Sequence, residues 1–138
     1  MERIKLAPGA EGAPMALLLS QMMGENLDRP EKLKDFNSLG ATVHIHVKDV
    51  GTEVTMVFDR GSLTFHGDKS ARPDISIETD SETLLDLANV SIKFGLPYYF
   101  DKVGLGILKK LAKRELKIRG MFTHPIALVK VSKIMSID

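Results

Sequence analysis

Cysteine is absent from this 138-residue chain. That removes disulfide scaffolds, thiolate zinc sites, iron–sulfur clusters and cysteine nucleophiles together. No apolar run reaches the roughly 18–20 residues that span a bilayer. The longest candidate, residues 13–23, follows Glu11 rather than a basic stretch, so no signal peptide is expected. The final residues, 136–138, match no peroxisomal or retention address, and the expected location is the cytoplasm. Signatures of catalysis are also missing. There is no G-x-x-x-x-G-K phosphate loop and no G-x-S-x-G elbow. Gly95, Gly104 and Gly106 lack the strand-to-helix setting of a dinucleotide fingerprint. Asp80, Glu82 and Asp86 read as the acidic start of a helix, where the dipole favours them. Neither enzymatic activity nor a cofactor is expected.

What the chain does have is one domain's worth of apolar residues. Its length fits a single domain, and 43% hydrophobic content can build one core. The formal net charge of +1, with 27% charged residues, excludes a disordered polyelectrolyte. That near-neutrality hides polarity along the chain. Residues 1–101 hold 10 Lys/Arg against 16 Asp/Glu, whereas residues 102–138 hold 9 Lys/Arg against only Glu115 and Asp138. The C-terminal quarter therefore presents a positive field, which suits an anionic surface or is neutralised by the rest of the domain.

Residues 1–14, with Pro8, Gly9, Gly12 and Pro14, read as a loose or extended arm, and residues 15–138 as a single domain. Residues 15–27 predict a helix, and Pro30 opens a second short helical turn toward Phe36. Four strands follow. Val43, Ile45 and Val47 alternate with Thr42, His44, His46 and Lys48. Val54, Met56 and Phe58 form the next inward set, then Leu63 and Phe65, then Ile75 and Ile77. Thr79 with Glu82 makes a capping-box signature for a helix carrying Leu84, Leu85, Leu87 and Ala88. An aromatic stretch at 92–100 is interrupted by Gly95 and Pro97. A helix over about 99–114, a fifth strand ending at Gly120 and a last helix from Pro125 complete the chain. The expected fold class is α+β: a five-stranded, mostly antiparallel sheet covered on one face by helices, with crossovers to strands 4 and 5.

Two helices carry more than their fold requires. In the 99–114 helix, Phe100, Val103, Ile107, Leu108 and Leu111 fall on one side, opposite Lys109, Lys110 and Lys113. That basic amphipathic pattern suits an anionic lipid layer, and also an ordinary helix with a wet back. In the last helix the apolar residues, among them Ile126, Leu128, Val131 and Met135, spread over roughly 200°, wider than the ~100° stripe that one sheet contact needs. Its second side requires cover from protein, a partner or a ligand. His44 and His46 share a strand face about 6.6–7 Å apart. His66 adds a third nitrogen nearby, but no acidic motif accompanies them, and no metal site is expected. The basic cluster lacks a strand-borne stacking platform, so nucleic acid is not expected either.

The order of elements and two stretches, PDISIETDSETLLDLANV and LKIRGMFTHPIALVKVSKIM, resemble the sterol carrier protein type-2 family. Asp74, Ile75, Ile77, Leu84, Leu87, Leu116, Ile118, Gly120 and Leu128 stand where that family places like residues. The chain differs in a longer segment over 92–113 and in having Lys113-Arg114-Glu115 where the family has a glycine before the last strand. The resemblance implies a non-catalytic carrier with an apolar tunnel between sheet and helices for a fatty acyl chain or other lipid. Its walls would take Met22 from the first helix, Phe58 from the sheet, and Leu84, Leu87 and Ala88 from the middle helix. Phe94, Tyr98 and Phe100 would come from the aromatic stretch. Val103, Ile107, Leu108 and Leu111 would come from the basic helix, and Ile126, Leu128, Val131 and Met135 from the last. Lys109, Lys110 and Lys113 would meet a membrane or an acidic headgroup. The expected partners are a lipid or fatty acid and an anionic membrane. The alternative is an interaction module whose spare apolar surface is covered by a second chain, as in a homodimer.

Overall fold

A computed structural model describes residues 3–8, 14–67, 72–93 and 96–136. Among the described residues, alternating apolar residues build one six-stranded sheet. Its strands are β1 (Ile4–Leu6), β2 (Gly40–Val47), β3 (Thr52–Asp59), β4 (Leu63–His66), β5 (Ile75–Thr79) and β8 (Lys117–Arg119). β2–β3, β3–β4 and β5–β8 pair antiparallel, while β1–β4 and β2–β5 pair parallel. The sheet is thus mostly antiparallel, with six strands rather than five. The extra strand is Ile4–Leu6, which falls within the expected arm and pairs along β4.

Register sorts the two faces. Val43 pairs with Met56 and Ile75, and Ile45 pairs with Val54 and Ile77, so one face is a continuous apolar surface. On the other face the row Thr55, His44, Ser76 and Arg119 is polar. The helices cover the apolar face: α1 (Pro14–Asn26), α2 (Pro30–Ser38), α3 (Ser81–Ala88), α4 (Lys102–Ala112) and α5 (Pro125–Met135). Leu19 and Met23 of α1, Phe36 of α2, Leu84 of α3, Ile107 of α4 and Ile134 of α5 are buried in one core with Val43, Ile45, Met56 and Phe65.

Caps fix where α3 and α4 begin. Asp80, not Thr79, is the N-cap of α3 and accepts from the Thr83 N–H at 2.7 Å. Thr79 is instead fully buried at the end of β5. Asp101 caps α4, accepting from the Gly104 N–H at 2.7 Å. Between these helices β6 (Ser91–Lys93) and β7 (Leu96–Tyr98) form an antiparallel hairpin. Proline is tolerated in it because a two-stranded ribbon has only edges. Gly120 closes β8 at φ +88°, where a β-carbon would lie 2.1 Å from the Asp74 carbonyl oxygen. Only glycine lets β8 end so close to the start of β5.

The last helix is held by the first two. Asn26 Nδ2 donates to the carbonyls of Ile134 and Met135 at 2.9 and 3.2 Å. Lys32, 2% exposed, donates from Nζ to the carbonyls of Lys133 and Ser136, each at 2.5 Å. A buried ammonium at a helix C-terminus satisfies orphan carbonyls and complements the dipole. Ser136 Oγ then donates to the Val90 carbonyl. Among the described residues no helix is long and apolar enough to cross a membrane.

Candidate functional site

The helical layer does not fill the space over the β5–β8 end of the sheet. A cavity of about 400 Å³ remains there, within the roughly 300–1,000 Å³ range of small-molecule sites. Its floor is Ile77 of β5, Ile118 of β8 and the preceding Leu116. Leu87 of α3 and Val90 form one wall, and Pro97 of β7 with the following Tyr99 another. α4 contributes Ile107, Leu108 and Leu111; α5 contributes Leu128, Val129, Val131, Ser132 and Met135; Met121 lies at the end of β8. No described lining residue is charged. Leu108 is 38% exposed while lining the cavity, which places α4 at its rim.

Seven of the expected lining residues meet there: Leu87, Ile107, Leu108, Leu111, Leu128, Val131 and Met135. The others lie elsewhere. Met22 packs on the core from α1, and Phe58 is buried in an edge-to-face contact with Phe36 at 6.3 Å. Leu84 and Ala88 are buried beneath α3, and Val103 packs against the core. Tyr98 and Phe100 stack edge to face at 6.0 Å, with Phe100 largely exposed. Ile126 points outward from the first turn of α5, 70% exposed. Phe94 lies outside the described residues.

Among the three lysines, Lys109 and Lys113 are exposed. Lys110 is turned inward: its Nζ donates to Thr83 Oγ1 at 2.8 Å and lies 4.0 Å from Asp86 Oδ2, tying α4 to α3. Ile77, Leu116 and Ile118 carried a sequence signal, since they alternate as inward strand residues. Tyr99 carried none that separates it from Tyr98 without the register of the hairpin. Its phenol is buried enough for desolvation to raise its pKa, opposed by the neighbouring Ser132 hydroxyl.

The polar face of the sheet holds a second, shallower hollow of about 210 Å³ around His44, His46, Ser76 and Arg119. Several of its side chains lie close to one another. His44 Nε2 lies 3.5 Å from Glu53, His46 Nδ1 lies 4.0 Å from Glu78, and Lys117 reaches Glu78 at 3.7 Å.

An apolar hollow thus lies between one sheet face and its helices. Residues 19–94, more than half of the chain, match the SCP-2 sterol transfer family. The chain belongs to the SCP-2 sterol transfer family. Solved structures share the SCP-2 fold. A UbiJ-SCP2 ubiquinone synthesis protein superposes with a TM-score of 0.59 at 16% identity, over 88% of this chain and 94% of that one. Sterol carrier protein 2 superposes with a TM-score of 0.52 at 13% identity, over 83% and 88% of the two chains. The inverting sec-alkylsulfatase Pisa1 from Pseudomonas sp. gives 0.50 at 14% identity, over 74% of this chain but 13% of that enzyme. No curated protein matches this SCP-2 chain by sequence.

Proposed function

We propose that this protein is a non-catalytic carrier that holds an apolar lipid in the cavity between β5, β8, α4 and α5. The observation that carries the reading is a roughly 400 Å³ hollow whose described lining holds no charged side chain. Each methylene buried there contributes about 0.8 kcal/mol. A twelve-carbon contact supplies on the order of 10 kcal/mol before the costs of ordering and association. Loading and release occur at a membrane. Lys109 and Lys113 give α4 an exposed basic edge beside the half-exposed Leu105. Phe122, 93% exposed, follows the cavity residue Met121, with Ile126 in the first turn of α5. Basic side chains around exposed apolar ones match the two attractions of an anionic bilayer.

Delipidated protein titrated with a fluorescent fatty acid should show saturable uptake with micromolar affinity. A linear, unsaturable signal rejects the carrier. Phe122→Ser should reduce co-sedimentation with phosphatidylglycerol vesicles severalfold without changing uptake in solution. Exposed Phe100 and Leu85 favour a second reading, an interaction module covered by another copy of the chain. Sedimentation velocity separates the two: a concentration-dependent dimer with no lipid uptake supports the module.

A further inference from the structure

Beyond its own caps, α4 has one side-chain hydrogen bond to a neighbouring element among the described residues. Lys110 Nζ donates to Thr83 Oγ1 of α3 at 2.8 Å and lies 4.0 Å from Asp86 Oδ2. Thr83 is fully buried, whereas the Lys110 side chain is 22% exposed. The ammonium is therefore the half of the joint that solvent can reach. The rest of α4's hold is apolar: Ile107 is sunk in the core, with Val103 and Leu111 packed against it. Ile107, Leu108 and Leu111 are at the same time a wall of the cavity. The opposite side of the helix is uncovered. Lys102, Leu105 and Lys109 are exposed there, and exposed Lys113 follows at the C-cap.

Swinging α4 outward uncovers the cavity, and two things oppose this in water. The Lys110 bond must break, and the apolar side of the helix must be wetted. An anionic bilayer removes both obstacles. Its phosphates offer Lys110 a charged acceptor in place of a neutral hydroxyl, and its acyl layer receives the apolar side chains. A trigger acts only through such a difference in its contacts with the closed and open states. The ends of the helix suit the motion. Gly104 lets α4 back closely onto Tyr99 as a pivot, and the chain leaves α4 through Arg114 at φ +61°. Lids turn on a few such element-terminal residues. We infer that α4 is a lid latched by Lys110 on Thr83, and that an anionic membrane surface opens it by taking over the Lys110 ammonium. This inference rests on the carrier reading and adds the switch that times release.

The test follows release of an anthroyloxy-labelled stearate from the delipidated and reloaded full chain. The acceptors are excess serum albumin, phosphatidylcholine vesicles and phosphatidylglycerol vesicles. The parent protein should release slowly to the first two and about tenfold faster to phosphatidylglycerol, as expected when one hydrogen bond to a charged group is exchanged. Thr83→Val removes the acceptor while keeping a β-branched side chain and every lysine. It should release to albumin about tenfold faster than the parent, with little further gain at phosphatidylglycerol. A merely structural role for Thr83 would leave that gain intact. Lys110→Met removes the other half of the latch and should give the same fast release to albumin. Thermal melts confirm each fold, and either variant alone decides the albumin comparison. Parent-like release to albumin in the variants, a full phosphatidylglycerol gain in Thr83→Val, or a parent indifferent to phosphatidylglycerol overturns the latch and leaves the carrier standing. Failure of the parent to take up the stearate overturns both.

Discussion

Gly104 abuts the backbone of Tyr99: a β-carbon on the glycine would lie 2.3 Å from the tyrosine Cα and 2.6 Å from its carbonyl oxygen. α4 therefore lies directly against the segment that carries a cavity residue. Gly106, two residues on, has nothing within 4 Å of the same probe position. The two glycines should respond oppositely. Gly104→Ala forces α4 away from Tyr99 and should cost about 1–3 kcal/mol, as overpacking does, while also weakening lipid uptake. Gly106→Ala should stabilise by up to about 1 kcal/mol, because alanine is the better helix former. Urea denaturation of the pair checks both signs.

Arg114 occupies a glycine's position. α4 ends in a Schellman arrangement: Glu115 N donates to the Lys110 carbonyl at 2.9 Å, Arg114 N donates to Leu111 at 3.2 Å, and Arg114 itself sits at φ +61°. A left-handed non-glycine residue costs roughly 1 kcal/mol. Arg114→Gly should therefore stabilise the fold by a few tenths to about 1 kcal/mol, the gain being reduced by glycine's greater freedom when unfolded. A fall in the midpoint of chemical denaturation would contradict this account.

Lys32→Met keeps the stem of the side chain and removes its ammonium. The carbonyls of Lys133 and Ser136 then lose a charged donor inside the core. Hydrogen bonds to charged groups contribute about 1.5–3 kcal/mol, so a loss of that order is expected in equilibrium unfolding. Faster hydrogen exchange should appear in the last turn of α5.

Stability should bend at both ends of the pH scale. Hydrogen bonds from Thr83 hold the Asp80 carboxyl below its usual 3.8, and those from Ser81 do the same for Asp49. A lowered carboxyl contributes stability that is present above the unfolded value and lost as pH falls below it. Tyr99 is raised above 10.0 by burial, so its contribution is complete below about 10 and disappears as pH rises through the folded value. Asp80→Asn should flatten the acid limb while retaining the cap, whereas Asp80→Ala should cost about 1 kcal/mol at neutral pH. Tyr99→Phe should flatten the alkaline limb. Thermal melts across pH follow all three variants.

Much of this architecture is legible in the residues. The alternation of Val43, Ile45 and Val47 with polar neighbours specifies a one-sided strand, and Pro30 and Pro125 mark helix starts that the structure keeps. Other elements depend on distant partners. Ile4–Leu6 is too short to declare itself and becomes a strand by pairing with Leu63–Phe65. Pro97 and Gly95 look like interruptions, yet Pro97 pairs with Ile92 in a hairpin. The site is harder to read than the fold. Leu84 and Leu87 carry the same apolar signal, but one is buried in solid core and the other faces the cavity. Periodicity says which side of an element is covered and not whether the covering layer touches it. The family match ends at residue 94, before α4, β8 and α5, which supply most of the cavity wall.

The grip of Asn26 and Lys32 on α5 sets an order of assembly. Asn26 reaches a carbonyl 108 positions later in the chain, so these bonds to α5 form only once that helix has left the ribosome. Contacts of such separation form late and slowly. A nascent chain lacking α5 would expose the greasy surfaces of β5 and α3 with no receptacle between them, and would be prone to clump. Deleting α5 should therefore yield insoluble protein rather than an empty carrier.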